Sequence, residues 1–165
     1  MLTLPEIVDR PARTYVYVLF TVPMEDMQRP ANEGFPQLFD YLQRHGLTQT
    51  GPAFYNYRRI DMADTLDVEA GVAVESLGPE EGAVKTGTLP SGKFLTITWN
   101  GHPDKLMTVT GMLIGWAKET DTAFDVVEKL DGDHFACRLE LYESDPMDVP
   151  NMDEWVTVLE FKLKG

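Results

Sequence analysis

KFLTITW (93–99) followed by HPDKLMTVTGMLIGWAKE (102–119) decides the fold, because the pair restates an order met earlier in the chain. The first run is rich in β-branched and aromatic residues and reads as a strand. In the second, Leu106, Val109, Leu113 and Trp116 fall on one helical stripe, with Asp104 as the expected N-cap. Working toward the N-terminus, TYVYVLFTV (14–22) is likewise a strand pattern. In GFPQLFDYLQRHG (34–46), Phe35, Leu38, Phe39 and Leu42 recur at i, i+3, i+4 and i+7, with Pro36 suited to a first turn and Gly46 to a C-terminal cap. Two strand patterns close each half: AFYNYRRI (53–60) and LDVEAGVAV (66–74) in the first, HFACRLELY (134–142) and WVTVLEFKLK (155–164) in the second. The segment between the halves, SLGPEEGAVKTGTLPSG (76–92), reads as a linker. Corresponding elements lie roughly eighty residues apart, which predicts a duplicated βαββ unit within one domain, with halves at about 1–80 and 81–165. The class is α+β, with an antiparallel sheet, two main helices and a central groove where the halves join. A single meandering sheet with two helices on one face fits the same patterns and requires no groove.

With 165 residues, 43% of them apolar, the chain can bury one sizeable core. A formal charge of −13, and only 14 Lys and Arg spread along the chain, exclude a sequence-independent grip on nucleic acid and favour cationic or neutral organic partners. Cys137 is the only cysteine, so neither a disulfide framework nor a thiolate zinc site can form, and its strand position marks it as a small buried hydrophobe. The N-terminus, MLTLPEIVDRPARTYVYVLF, interrupts its apolar pieces with Asp and two Arg, which excludes a signal peptide or a membrane span. A cytoplasmic protein without metal or cofactor is the expectation.

No G-x-S-x-G, H-E-x-x-H, C-x-x-C or glycine-rich phosphate loop occurs. His45, His102 and His134 sit at element ends, as capping or loop residues do, and GHPD (101–104) has the composition of a helix start. Glu140 is more suggestive. In CRLELYESDP (137–146), alternation puts Cys137, Leu139 and Leu141 on one face and Arg138, Glu140 and Tyr142 on the other. That second face is either wet surface, where Glu140 pairs across the sheet, or the wall of a pocket. Tyr55 and Tyr57 share a strand face, and Trp99, Trp116, Trp155 and Phe161 are further rings. Singly each suits a core; around a carboxylate they would hold a lipophilic cation or flat heteroaromatic, each ring contributing about 0.5–2 kcal/mol. Glu69 competes with Glu140 for the same role, and either acid, desolvated beside a tyrosine, would have a raised pKa.

The stretches RPARTYVYVLFTVPM, GPAFYNYRRIDM, LDVEAGVAV, TLPSGKFLTI, GHPDKL, the Trp116 helix, CRLELYESDP and WVTVLEFKL together resemble the GyrI-like effector-binding domains, in order and over nearly the whole chain. The resemblance implies a duplicated βαββ fold of SH2-like type, related to the ligand-binding halves of multidrug-sensing transcription regulators. It also implies a groove that takes bulky hydrophobic, often cationic, compounds. It assigns Glu140 and Tyr142 to the family's glutamate-x-tyrosine pair and Trp116 to its helix tryptophan, while Trp99 stands where relatives often carry histidine. With a strand starting at residue 14, no helix-turn-helix segment is expected before the domain. Some stand-alone relatives hydrolyse cyclopropane-containing alkylating compounds, which would make Glu140 and Tyr142 catalytic, Glu140 activating water and Tyr142 polarising a carbonyl. A gyrase-directed inhibitor meeting a basic protein partner is a third reading. A haem carrier is a fourth, for which none of the three histidines is well placed.

Overall fold

The computed structural model describes all 165 residues and contains ten strands and two main helices. In chain order they are β1 (Glu6–Arg10), β2 (Arg13–Val22), α1 (Phe35–His45), β3 (Gln49–Ile60), β4 (Leu66–Val74), β5 (Lys85–Leu89), β6 (Gly92–Asn100), α2 (Leu106–Glu119), β7 (Val126–Lys129), β8 (Gly132–Phe135), β9 (Arg138–Tyr142) and β10 (Val156–Lys162). All pairings are antiparallel, in the order β1-β6-β10-β9-β3-β4-β2-β5, with β7 and β8 forming a hairpin beside β3.

The repeat is visible in that order. The first half runs β2, α1, β3, β4 and pairs as β3-β4-β2; the second runs β6, α2, β9, β10 and pairs as β9-β10-β6. The halves meet where β3 and β9 pair, through Phe54↔Leu141, Tyr55↔Glu140 and Asn56↔Leu139. They are also stitched at their outer edges. The register that runs from Glu6↔Thr96 to Arg10↔Gly92 continues unchanged from Arg13↔Leu89 to Tyr17↔Lys85. β1 and β2 are thus one strand bent at Pro11–Ala12, and β5 and β6 one strand bent at Pro90–Ser91. Proline, with no N–H to give a ladder, sits at each bend. Because each bent strand passes from one half-sheet to the other, the sheet curls into a half-barrel.

The curl gives the sheet two unlike faces. Its inner face packs Tyr15, Phe54, Leu89, Phe94, Cys137, Leu139 and Leu141 together, and burial raises the Cys137 thiol to about 12, leaving it an inert filler. The outer face carries the helices. α1 lays Leu38, Tyr41 and Leu42 on Val16, Val18, Val72 and Val74 of β2 and β4. α2 lays Val109, Leu113 and Ala117 on Leu95, Ile97, Leu159 and Phe161 of β6 and β10. Each of these fully buried aliphatic side chains contributes roughly 1.5–3 kcal/mol. Gly46, at φ 61°, takes the left-handed position after α1, and its N–H reaches the Leu42 and Gln43 carbonyls. Each helix covers the first and third strands of its own half, so the second strands, β3 and β9, are left bare between them.

Three expectations are corrected, and one strand is added. The presumed linker 76–92 contains β5, whose short Lys-Thr-Gly-Thr-Leu run lacks a periodic signal and pairs only because β2 is long enough to receive it. β1, with its exposed, charged residues, gave no strand signal either. HFACRLELY is two strands: the Asn56 side chain accepts the Arg138 N–H at 3.1 Å, replacing a ladder bond at the Ala136–Cys137 break. The turn leading into α2 is capped by His102, whose Nδ1 accepts the Asp104 N–H at 3.1 Å, rather than by Asp104. No helix is long and apolar enough to cross a membrane.

Candidate ligand-binding site

The bare strands β3 and β9 form the floor of a groove of about 1190 Å³ running between the two helices. One wall is the segment 24–34 with the start of α1, contributing Met24, Met27, Ala31, Phe35 and Phe39. The other is one side of α2, with buried Leu106 and exposed Met107 and Ile114. More than half of the lining residues are hydrophobic. Tyr55 fixes the first wall to the floor, its hydroxyl donating to the Met27 carbonyl at 2.7 Å and accepting from the Ala31 N–H at 2.8 Å.

Alternation along β3 and β9 decides which side chains reach the groove. Tyr55 and Tyr57 on β3, and Arg138, Glu140 and Tyr142 on β9, point outward to it, while Phe54, Asn56, Leu139 and Leu141 point to the inner core. The result is a carboxylate among rings. Glu140 Oε1 accepts from the Tyr142 hydroxyl at 2.6 Å, and Oε2 from the Tyr57 hydroxyl at 3.3 Å. Tyr55 stands edge-on to both Tyr142 and Tyr57, with centroids 5.4 and 6.1 Å apart, and Phe35 meets Tyr142 at 6.2 Å. These T-shaped contacts put positive ring edges against negative faces and hold the rings in place.

Burial raises the Glu140 carboxyl above its ordinary value, partly offset by the two tyrosine hydrogen bonds and by the Arg138 charge acting through space. The same burial, with the Glu140 charge added, pushes the Tyr57 and Tyr142 phenols well up, so both remain donors. The Arg138 guanidinium lies 4.6 Å from the Phe161 centroid, 4.8 Å from Phe135 and 5.6 Å from Tyr57. No cluster of His, Cys, Asp or Glu is arranged to hold a metal ion.

Of the residues singled out in the sequence, Glu140, Tyr142, Tyr55, Tyr57, Trp155 and Phe161 line the groove. The Trp155 indole is held by its N–H donating to the Val149 carbonyl at 2.6 Å. Glu69 does not reach the groove. It lies on the inner face, 5% exposed, where Tyr15 and Asn56 donate to its Oε1 at 2.6 and 3.0 Å. Trp116 and Trp99 also lie outside, packed against the α2 core, and the Trp99 indole donates to the His102 carbonyl. Sequence reasoning passed over Arg138, Phe35, Phe39 and the groove methionines. Arg138 was readable from its alternation with Glu140; the others were not, because only the placement of the helices exposes their faces to the groove.

A family model described as the GyrI-like small molecule binding domain matches residues 4–164. No curated protein matches the sequence. Among solved structures, the C-terminal domain of EcmrR superposes with a TM-score of 0.77 at 19% identity, covering 98% of this chain and 97% of that one. In the EcmrR–DNA complex the corresponding values are 0.78 and 20%, with the present chain covering 57% of that chain's length. A hydrolase from Listeria innocua aligns at 0.63 and 13% identity, over 97% of this chain and 91% of that one. SAV2435 bound to tetraphenylphosphonium aligns at 0.61 and 10%, over 99% and 95%. At such identities the structures share the fold, and it is the match from residue 4 to residue 164 that shows that the chain belongs to the GyrI-like small-molecule-binding domains.

Proposed function

We propose that the groove binds a bulky, hydrophobic organic cation or a flat heteroaromatic, with Glu140 supplying the negative charge and the surrounding rings the walls. The observation that carries this reading is a half-buried carboxylate whose oxygens meet only tyrosine hydroxyls inside a large apolar groove. Desolvating an unpaired carboxylate is expensive, and a cationic guest would offset that cost while its apolar body covers Phe35, Tyr55, Tyr142 and Phe161. SAV2435, of the same fold, is seen with tetraphenylphosphonium, a ligand of this class. Calorimetric titration with tetraphenylphosphonium and with neutral triphenylphosphine oxide tests it. The cation should bind more tightly, and Glu140→Gln should reduce the difference; equal binding of both compounds to both proteins would refute the role of Glu140.

A second reading, hydrolysis of an electrophilic ligand in the same groove, draws support from the Glu140 carboxyl, which burial raises and so makes a stronger base than an exposed carboxylate. Water's oxygen would bond to a cyclopropane carbon, the ring C–C bond would break with its electron pair moving onto a conjugated carbonyl, and Glu140 would take the water proton. For Tyr142 to polarise that carbonyl it must first leave Glu140, to which it donates at 2.6 Å. Binding demands no such rearrangement and is placed first. A water adduct formed by the wild type and absent with Glu140→Gln would establish turnover.

A further inference from the structure

Arg138 is the one cation in the groove whose charge is left unpaired. Its backbone N–H donates to Asn56 Oδ1, but its guanidinium has no hydrogen-bonding partner, and Nε is sealed from solvent with no acceptor. The Glu140 oxygens are occupied by Tyr57 and Tyr142, and Arg138 acts on Glu140 only through space. Rings hold the guanidinium instead: Phe161 and Phe135 lie within 5 Å of it, and Tyr57 is next. Stacking of this kind satisfies the guanidinium's faces and leaves its in-plane donors unspent. Sealed Nε is beyond a ligand's reach, but Nη1 and Nη2 also lack acceptors and belong to a residue that lines the groove, which points to an acceptor that arrives from outside.

The surroundings restrict what that acceptor can belong to. Asp133, Glu143 and Asp145 also line the groove, and the chain carries a net charge of −13, so a simple anion is repelled. Arg138 and Glu140 stand two residues apart on one strand face, a spacing of roughly 7 Å between backbones. Resting on the reading of Glu140 as a cation site, we infer that Arg138 is a second recognition point, and that the preferred ligands are zwitterionic aromatics bearing a carboxylate beside their cationic group.

Rhodamine B and its ethyl ester provide matched probes, since both carry the cationic ring system and only the acid has a free carboxylate. Their binding to the intact chain is measured by fluorescence anisotropy at 0.15 M salt, roughly where exposed charges are screened beyond about 8 Å. Wild type should bind the acid about tenfold more tightly than the ester, the effect of one charge-assisted hydrogen bond. Arg138→Met should abolish that preference while ester binding persists, which also reports that the variant is folded. Should Arg138→Met not fold, Arg138→Lys, which keeps the charge but not the planar fork, should retain only part of the preference. Equal binding of the two dyes to wild type, or a preference that survives in Arg138→Met, overturns the role of Arg138 and leaves the cation site standing. If neither dye binds, both readings fall.

Discussion

Glu69 and Glu140 are two acids in one sheet with closely similar local chemistry. Each accepts a tyrosine hydroxyl at 2.6 Å, and burial raises both carboxyl groups. They differ in the face they occupy. Glu69 is enclosed by Tyr15 and Asn56 in the inner core, where nothing can reach it; Glu140 opens onto the groove between the helices. A desolvated carboxylate with perturbed titration therefore marks a binding site only when a cavity adjoins it. One of these two acids is tied into the core, and the other faces the groove.

The comparison breaks most readily at Glu69. Glu69→Ala leaves the Tyr15 hydroxyl and the Asn56 amide unpaired in the core and should cost about 3 kcal/mol in urea unfolding. Glu140→Ala, where groove water can replace the lost oxygens, should cost about 1 kcal/mol or less. Similar losses at the two sites would erase the distinction. Ligand binding should show the reverse order: Glu140→Gln should weaken tetraphenylphosphonium binding about tenfold, while Glu69→Gln leaves it unchanged.

The pH dependence sharpens the contrast further. A carboxyl whose native pKa lies above its ordinary 4.5 holds its proton more tightly when folded. The stability this contributes is complete below 4.5 and is lost as pH rises through the native pKa. Wild type should therefore lose stability relative to Glu69→Gln over that interval, as chemical denaturation at successive pH values would show. At Glu140 the same upward shift acts on binding: affinity for a permanent cation should rise with pH as the carboxyl ionises, and Glu140→Gln should reduce that dependence. The smallest effect is expected at Trp116, which packs on the α2 core outside the groove. Trp116→Phe should change cation affinity by less than about twofold, and a larger drop would move the binding surface to the far side of α2.

Most strands and both helices were legible because each buries one face, and the periods of 2 and 3.6 record which face that is. β1 and β5 escaped because they are short edge segments stabilised by the partners across the ladder rather than by their own apolar patterns. The break between β8 and β9 escaped because a side chain from β3, Asn56, makes it. Within the candidate site, the outward set on β9 followed from alternation in CRLELY. Trp99, Trp116 and Glu69 were grouped with it on residue type, which cannot distinguish a ring or acid facing a groove from one facing a core.

The two βαββ runs and the shared face of Arg138, Glu140 and Tyr142 were determined by the sequence alone, since local periodicity is a property of neighbours along the chain. Tertiary structure decided which of two similar acids meets the groove, that α1 and α2 leave β3 and β9 uncovered, and that the guanidinium beside Glu140 has rings but no acceptor. Those outcomes depend on how the two half-sheets curl against each other through bends at Pro11 and Pro90, and such long-range closure leaves no mark on the spacing of nearby residues.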